Sequence, residues 1–180
     1  NLLPDEVEYI VATDDGSLHD HLAFIQNAVG AVPAPWDCYL TLRGVKTLPL
    51  RMDRHNANAA AVVDLLQGHP AVRSVLYPGL PEHPGHEAAR RQMSGFGGMV
   101  SFRMGSQEAA TRVIEATELF TLAESLGAVE SLIEHPGVMT HASVAGSPLA
   151  VPDDLVRLSV GVEDEADLLA DLSQALDRLS

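Results

Sequence analysis

Apolar residues fall at helical spacing between Ser17 and Val29, where Leu18, Leu22, Ile25 and Val29 share one face, and predict a helix that Gly30 stops. Ser17 is placed to cap it. Upstream, VEYIVAT (7–13) is β-branched and aromatic and predicts a strand, closed by the turn Asp14-Asp15-Gly16. Val32-Pro33-Ala34-Pro35 reads as an extended linker, because each proline turns its predecessor away from helical geometry. The pattern is helical again from about Trp36 to Leu66, and Gly44 and Pro49 divide it into two helices. The second, around Asp53–Leu66, is alanine-rich and suited to close packing, and Gly68-His69-Pro70 ends it. Val72–Tyr77 predicts a strand, 78–86 (PGLPEHPGH) a loop, and Glu87–Met93 a short basic helix.

The remaining pattern alternates strands and helices. Phe96–Met104 predicts a glycine-led strand, and Ser106 caps a helix over 107–116. Glu118–Ala123 and Ser131–Ile133 predict short strands around a Ser-Leu-Gly turn, and 137–152 a loop. Leu155–Val162 predicts a strand and Glu163–Ser180 a final helix, whose first acids face the positive end of the helix dipole. Strands separated by helices, with the last helix on the sheet, give an α+β domain within the broad α/β class.

Composition narrows the function. The chain has 180 residues, 46% of them hydrophobic, enough for one full domain or one and a half. No apolar run approaches the ~20 residues of a membrane span. A single cysteine, Cys38, excludes an internal disulfide framework and a four-cysteine zinc site. No signal peptide opens the chain, so a cytoplasmic location is expected, and a first residue of Asn rather than Met points to a trimmed chain. There are 25 acids against 11 bases, a net charge of −14. Residues 113–180 carry thirteen of the acids and two bases, Arg157 and Arg178. Such a surface repels phosphate backbones and argues against nucleic-acid binding.

Within the strand Leu155–Val162, alternation puts Val156, Leu158, Val160 and Val162 on one face and Leu155, Arg157, Ser159 and Gly161 on the other. An arginine between apolar residues requires an anion, and its planar fork suits a carboxylate. Taken alone, the segment leaves an internal salt bridge with one of the nearby acids as the simpler reading. Glu124 and Ser125 precede a glycine turn, and Thr140, His141 and Ser143 sit in a loop; each is also compatible with plain structure. Gly95-Phe96-Gly97-Gly98 leads into a strand rather than a helix, so a phosphate loop lacks its context. His19 with His21, and His83 with His86, lack a third metal ligand and read as surface histidines. Cys38, next to the acidic Asp37, reads as structural. Lys46 lies near Arg43 and Arg51 and shows no sign of activation.

Four stretches carry a resemblance: LRGVKTLPLRMDRHNANA (42–59), YPGLPEHPGHEAARRQMSGFGGMVSF (77–102), LFTLAESLGAVESLIEHPGVMTHAS (119–143) and LVRLSVGVEDEADLLADL (155–172). Over about residues 11–180 the chain resembles the Cys/Met-metabolism pyridoxal 5′-phosphate enzymes, with the cystathionine γ-synthase branch nearest and the cystathionine and methionine γ-lyases close by. The resemblance implies the type I (aspartate aminotransferase-like) transferase fold, of which residues 1–35 are the end of the large domain and a linker. Residues 36–180 are then the C-terminal domain, a small, mainly antiparallel sheet covered by helices. It also implies that Arg157 binds the substrate α-carboxylate, that Ser125 lines the same site, that Glu124 bears on substrate choice, and that Thr140 lies near the distal substrate group. A homotetramer acting on a small amino-acid substrate is implied as well.

The resemblance covers only part of the family pattern. The Schiff-base lysine belongs just upstream of the strand at 7–13, where NLLPDEVE (1–8) holds none, and Lys46 matches an ordinary helix position. A pyridoxal enzyme needs that lysine. The chain alone is therefore expected to be inactive, with no catalytic residue and no metal of its own, and to require the N-terminal part. The alternative is a non-catalytic module that has lost the cofactor site.

Overall fold

The computed structural model describes residues 16–140, 146–148 and 150–179. The strand expected at 7–13 and the candidates His141 and Ser143 lie outside them. The chain divides into two compact units, 1–48 and 49–180. In the first unit, α1 (Gly16–Val29) ends as expected: Gly30 takes a φ of +73°, and its N–H donates to the Gln26 carbonyl at 2.9 Å. Ser17 lies inside the first turn of α1 rather than ahead of it. Helix α2 (Pro35–Val45) opens on a proline, which costs nothing where the N–H has no helical acceptor. Trp36 stacks on Tyr39 with ring centroids 5.4 Å apart. Phe24, Val29, Trp36 and Leu42 are each at least 67% exposed.

In the second unit, α3 (Leu48–Gly68) starts five residues earlier than the pattern predicted, because Pro49 fits the first turn of a helix and does not break it. There follow β1 (Ser74–Leu76), α4 (His86–Gln92), β2 (Met99–Arg103), α5 (Gln107–Ala116), β3 (Thr121–Leu122), β4 (Leu132–Glu134), the single turn α6 (Pro136–Met139) inside the expected loop, β5 (Leu155–Ser159) and α7 (Glu165–Asp177). The strands form one sheet in the order β1-β2-β5-β4-β3. Every pairing is antiparallel except β3 with β4, which is parallel.

The core lies on one face of this sheet. Val100 and Phe102 of β2 and Val156 and Leu158 of β5 are fully buried. They join Ala59, Val62 and Leu66 of α3, Ala110 and Val113 of α5, and Leu168 and Leu172 of α7 in one cluster. Those helix positions recur every three or four residues, so each helix turns an apolar stripe to the sheet. Burial of each large side chain contributes about 1.5–3 kcal/mol.

Polar groups fix the ends. The Ser106 hydroxyl accepts from Ala109 N–H and Asp164 Oδ1 from Ala166 N–H, capping α5 and α7. Asp171 of α7 accepts the N–H groups of Glu118, Leu119 and Phe120 at 2.8, 2.8 and 3.0 Å, tying the turn before β3 to the last helix. Asp154 is buried against Arg103 Nη2 at 2.7 Å and accepts Gly105 N–H at 2.9 Å. Burial opposes the ionisation of both carboxyls. Their donors outweigh it and hold both below the ordinary aspartate range.

Candidate functional site around Arg157

Strand β5 delivers Arg157 to the face away from the core. Its neighbours Val156 and Leu158 are fully buried, so the side chain between them must project the other way, where it keeps 24% of its surface exposed. In the register of β4 against β5, Glu134 stands directly opposite. Its Oε1 lies 2.9 Å from Arg157 Nε. The internal ion pair considered for this strand is therefore present. Among the described residues neither Glu134 oxygen accepts an aligned hydrogen bond, so the contact is one of charge rather than of a linear N–H···O bond.

From the same guanidinium, Nη2 donates to the Glu124 carbonyl at 3.3 Å. Two candidates from the sequence thus meet, though Glu124 takes part through its main chain while its residue is exposed. Ser125 follows it and is also exposed. Thr140 is exposed at the end of α6, with its hydroxyl donating to the Pro136 carbonyl at 3.3 Å.

The turn that brings Glu124 to Arg157 is stitched along β5 and its continuation. Gly127, at φ +74°, donates its N–H to Ser159 Oγ at 2.9 Å. Val162 N–H donates to the Val129 carbonyl at 2.9 Å. Ser131 gives its N–H and hydroxyl to the Glu163 carboxylate at 2.6 and 2.9 Å, while its Oγ accepts Gly161 N–H at 2.7 Å. Gly161 has no room for a side chain, since a Cβ would meet the Val129 carbonyl, the Glu163 carboxylate and, at 2.7 Å, Ser131 N. From α3, His55 Nδ1 lies 2.6 Å from the Val160 carbonyl, and Asn58 Nδ2 donates to the Gly161 and Glu163 carbonyls at 3.1 and 3.0 Å. Buried amide and imidazole groups are thus spent on holding the backbone beside Arg157.

Glu134 and Glu163 were missed by reading motifs. Glu134 had a signal: a carboxylate closing the apolar strand Leu132-Ile133 calls for a counter-charge, and residues 113–180 hold only two bases. Among the described residues no three His, Cys, Asp or Glu side chains gather as a metal set, and no helix is long and apolar enough to cross a membrane. His19 and His21 are exposed on α1, and Cys38 is exposed on α2. His83 Nδ1 accepts Gly85 N–H, and His86 Nδ1 lies 2.8 Å from the Pro78 carbonyl. Gly95–Gly98 leads into β2, away from any helix start. An open, mostly apolar cavity of about 300 Å³ lined by Asn56, Asp64, Tyr77, Gly79 and Phe96 shares no residue with the Arg157 site. The second unit contains no lysine, and Lys46, the chain's single one, is exposed in the first. The Arg157 guanidinium can thus pair with a carboxylate, and no lysine amine is supplied by the second unit.

Residues 5–177 match the family described as Cys/Met metabolism PLP-dependent enzyme. A cystathionine gamma-synthase of Mycobacterium tuberculosis (strain ATCC 25618 / H37Rv) is 64% identical over 173 residues, covering 96% of this chain and 45% of that protein. A cystathionine gamma-lyase of Dictyostelium discoideum is 54% identical over 178 residues, 97% of this chain and 46% of that one. The crystal structure of metB from Corynebacterium glutamicum superposes with a TM-score of 0.87 at 54% identity, over 93% of this chain and 44% of that one. The chain spans about half the length of the curated relatives it matches.

Proposed function

Because the chain belongs to the Cys/Met metabolism PLP-dependent enzyme family, we propose that it is the C-terminal part of a cystathionine γ-synthase, which replaces the γ-substituent of an O-acylated homoserine by the thiol of cysteine. The observation that carries this reading is Arg157: a partly exposed guanidinium, met at Nε by Glu134 and at Nη2 by the Glu124 carbonyl, on the sheet face opposite the core. Its fork binds the substrate α-carboxylate and fixes the amino acid's orientation. Ser125 and Glu124 line the same site, Glu124 bearing on substrate choice, and Thr140 lies toward the distal substrate group. Residues 1–35 close the large domain and 36–180 form the C-terminal domain. Pyridoxal phosphate, when bound, supplies an electron sink conjugated to the substrate Cα. The second unit has no lysine to anchor it and Lys46 matches an ordinary helix position, so the 180-residue chain by itself is expected to be inactive. The exposed apolar side chains of the first unit suit burial against the rest of a cytoplasmic homotetramer.

In the full-length enzyme, Arg157→Ala is expected to raise the KM for the O-acylhomoserine at least about tenfold, the loss of a charge-assisted hydrogen-bond pair. An unchanged KM sinks the assignment. The identity to γ-lyases supports a second reading, γ-elimination from cystathionine or methionine. Incubation of full-length enzyme with an O-acylhomoserine and cysteine yields cystathionine on the first reading. Incubation with cystathionine and water yields cysteine, a 2-oxo acid and ammonia on the second.

A further inference from the structure

The acid facing Arg157 is far more deeply buried than the arginine itself. The side chain of Glu134 is 1% exposed, and its neighbours Ile133 and His135 are buried with it. Among the described residues no aligned donor reaches either oxygen, and the imidazole of His135 has no hydrogen-bond partner. A bare carboxylate in such surroundings is strongly disfavoured unless a counter-charge offsets it, and an apolar residue of similar volume would sit there more easily. The counter-charge is Arg157. Arg178, the other base of residues 113–180, is at the surface beside Glu118 at 3.5 Å.

We propose that Glu134 is a positioning residue for Arg157, an inference that rests on reading Arg157 as the carboxylate clamp. A guanidinium offers a carboxylate two edges, the side edge of Nε with one Nη and the end edge of both Nη atoms. Glu134 occupies the side edge through Nε, and the Glu124 carbonyl takes one of the protons of Nη2. Nη1 donates no hydrogen bond among the described residues. Nη1 and the second proton of Nη2 are left for the substrate, and Glu134 sets the angle at which they are presented. Because the acid sits on β4 at the register position of Arg157, that angle is fixed by the sheet and not by a loop.

The test uses the full-length enzyme with O-succinylhomoserine at saturating cysteine, and compares Glu134→Gln, Glu134→Asp and Arg157→Ala with the two double variants. Glu134→Gln removes the charge at constant shape and is expected to raise KM about tenfold with kcat within about twofold, the pattern of lost ground-state binding. Glu134→Asp keeps the charge and the fold but withdraws the carboxylate by one bond from Nε, and is expected to raise KM about threefold. On the Arg157→Ala background neither substitution shifts KM by more than about twofold, because the group they position is gone. A wild-type KM in Glu134→Asp, or equal KM effects on both backgrounds, overturns the proposal even if Glu134→Gln does not fold. If Arg157→Ala itself leaves KM unchanged, the clamp assignment fails instead, which separates the two readings.

Discussion

Asp171 offers a direct measure of how the last helix holds the turn before β3. Replacing it with alanine removes the acceptor of three successive backbone N–H groups, at 2.8, 2.8 and 3.0 Å, and of Gln174 Nε2 at 3.1 Å. Glu118 is exposed, so water can satisfy its N–H, but Leu119 is half-buried and Phe120 buried. Two donors therefore lose their partner at about 1–2 kcal/mol each, giving a cost of roughly 2–4 kcal/mol. Urea unfolding of the chain followed by far-ultraviolet circular dichroism measures this as a lower midpoint at unchanged slope. The pH dependence follows from the carboxyl's depressed pKa. Its stabilisation is complete above the unfolded value of about 3.9 and is lost as pH falls through the lower folded value. The gap between the native chain and Asp171→Ala is therefore widest at pH 7 and narrows below about pH 4. A gap under about 0.5 kcal/mol at pH 7, which is the level of an ordinary surface substitution, refutes the reasoning. A gap that stays the same in acid does so too.

Two further substitutions test other supports. Asp154→Asn removes the charge facing Arg103 and is expected to cost about 2–3 kcal/mol at pH 7, less than for a fully buried pair because Arg103 is partly exposed. The carboxyl is held low, so this difference also shrinks as pH falls below about 4, and a difference independent of pH rules out the ionic account. Gly161→Ala drives a methyl group into the Val129 carbonyl and Ser131 N–H. It is expected to destabilise by about 1–3 kcal/mol and, on the proposed function, to raise the KM of the full-length enzyme for an O-acylhomoserine; native values for both show that the turn can yield.

Periodicity was enough to place the elements whose physics is local. Ser106 and the stripe of Ala110 and Val113 define α5, the positive φ of Gly30 ends α1, and the alternation through Val156, Arg157 and Leu158 correctly separates the core face of β5 from the site face. Features that depend on distant partners were not legible. A hydrophobic pattern states which face of a strand is buried but not its neighbour or direction, so the parallel pairing of β3 with β4 has no counterpart in the sequence. The choice of Glu134 among thirteen acids as the partner of Arg157 follows from that register alone. Glu124 illustrates a different limit: its side-chain chemistry singled it out, yet the contact with Arg157 is made by its carbonyl, which every residue type has.

The parallel pairing of β3 and β4 has an evolutionary consequence. Two strands running the same way cannot be joined by a hairpin, so residues 123–131 must lead the chain back before β4 begins. That return path is tied to β5 and its continuation at Arg157, Ser159, Val162 and Glu163. Most surface loops tolerate insertions and deletions. Here one residue more or less would put every tie after it out of step. Descendants of this sequence can vary the exposed side chains at 124 and 125, while the length of the segment stays constant.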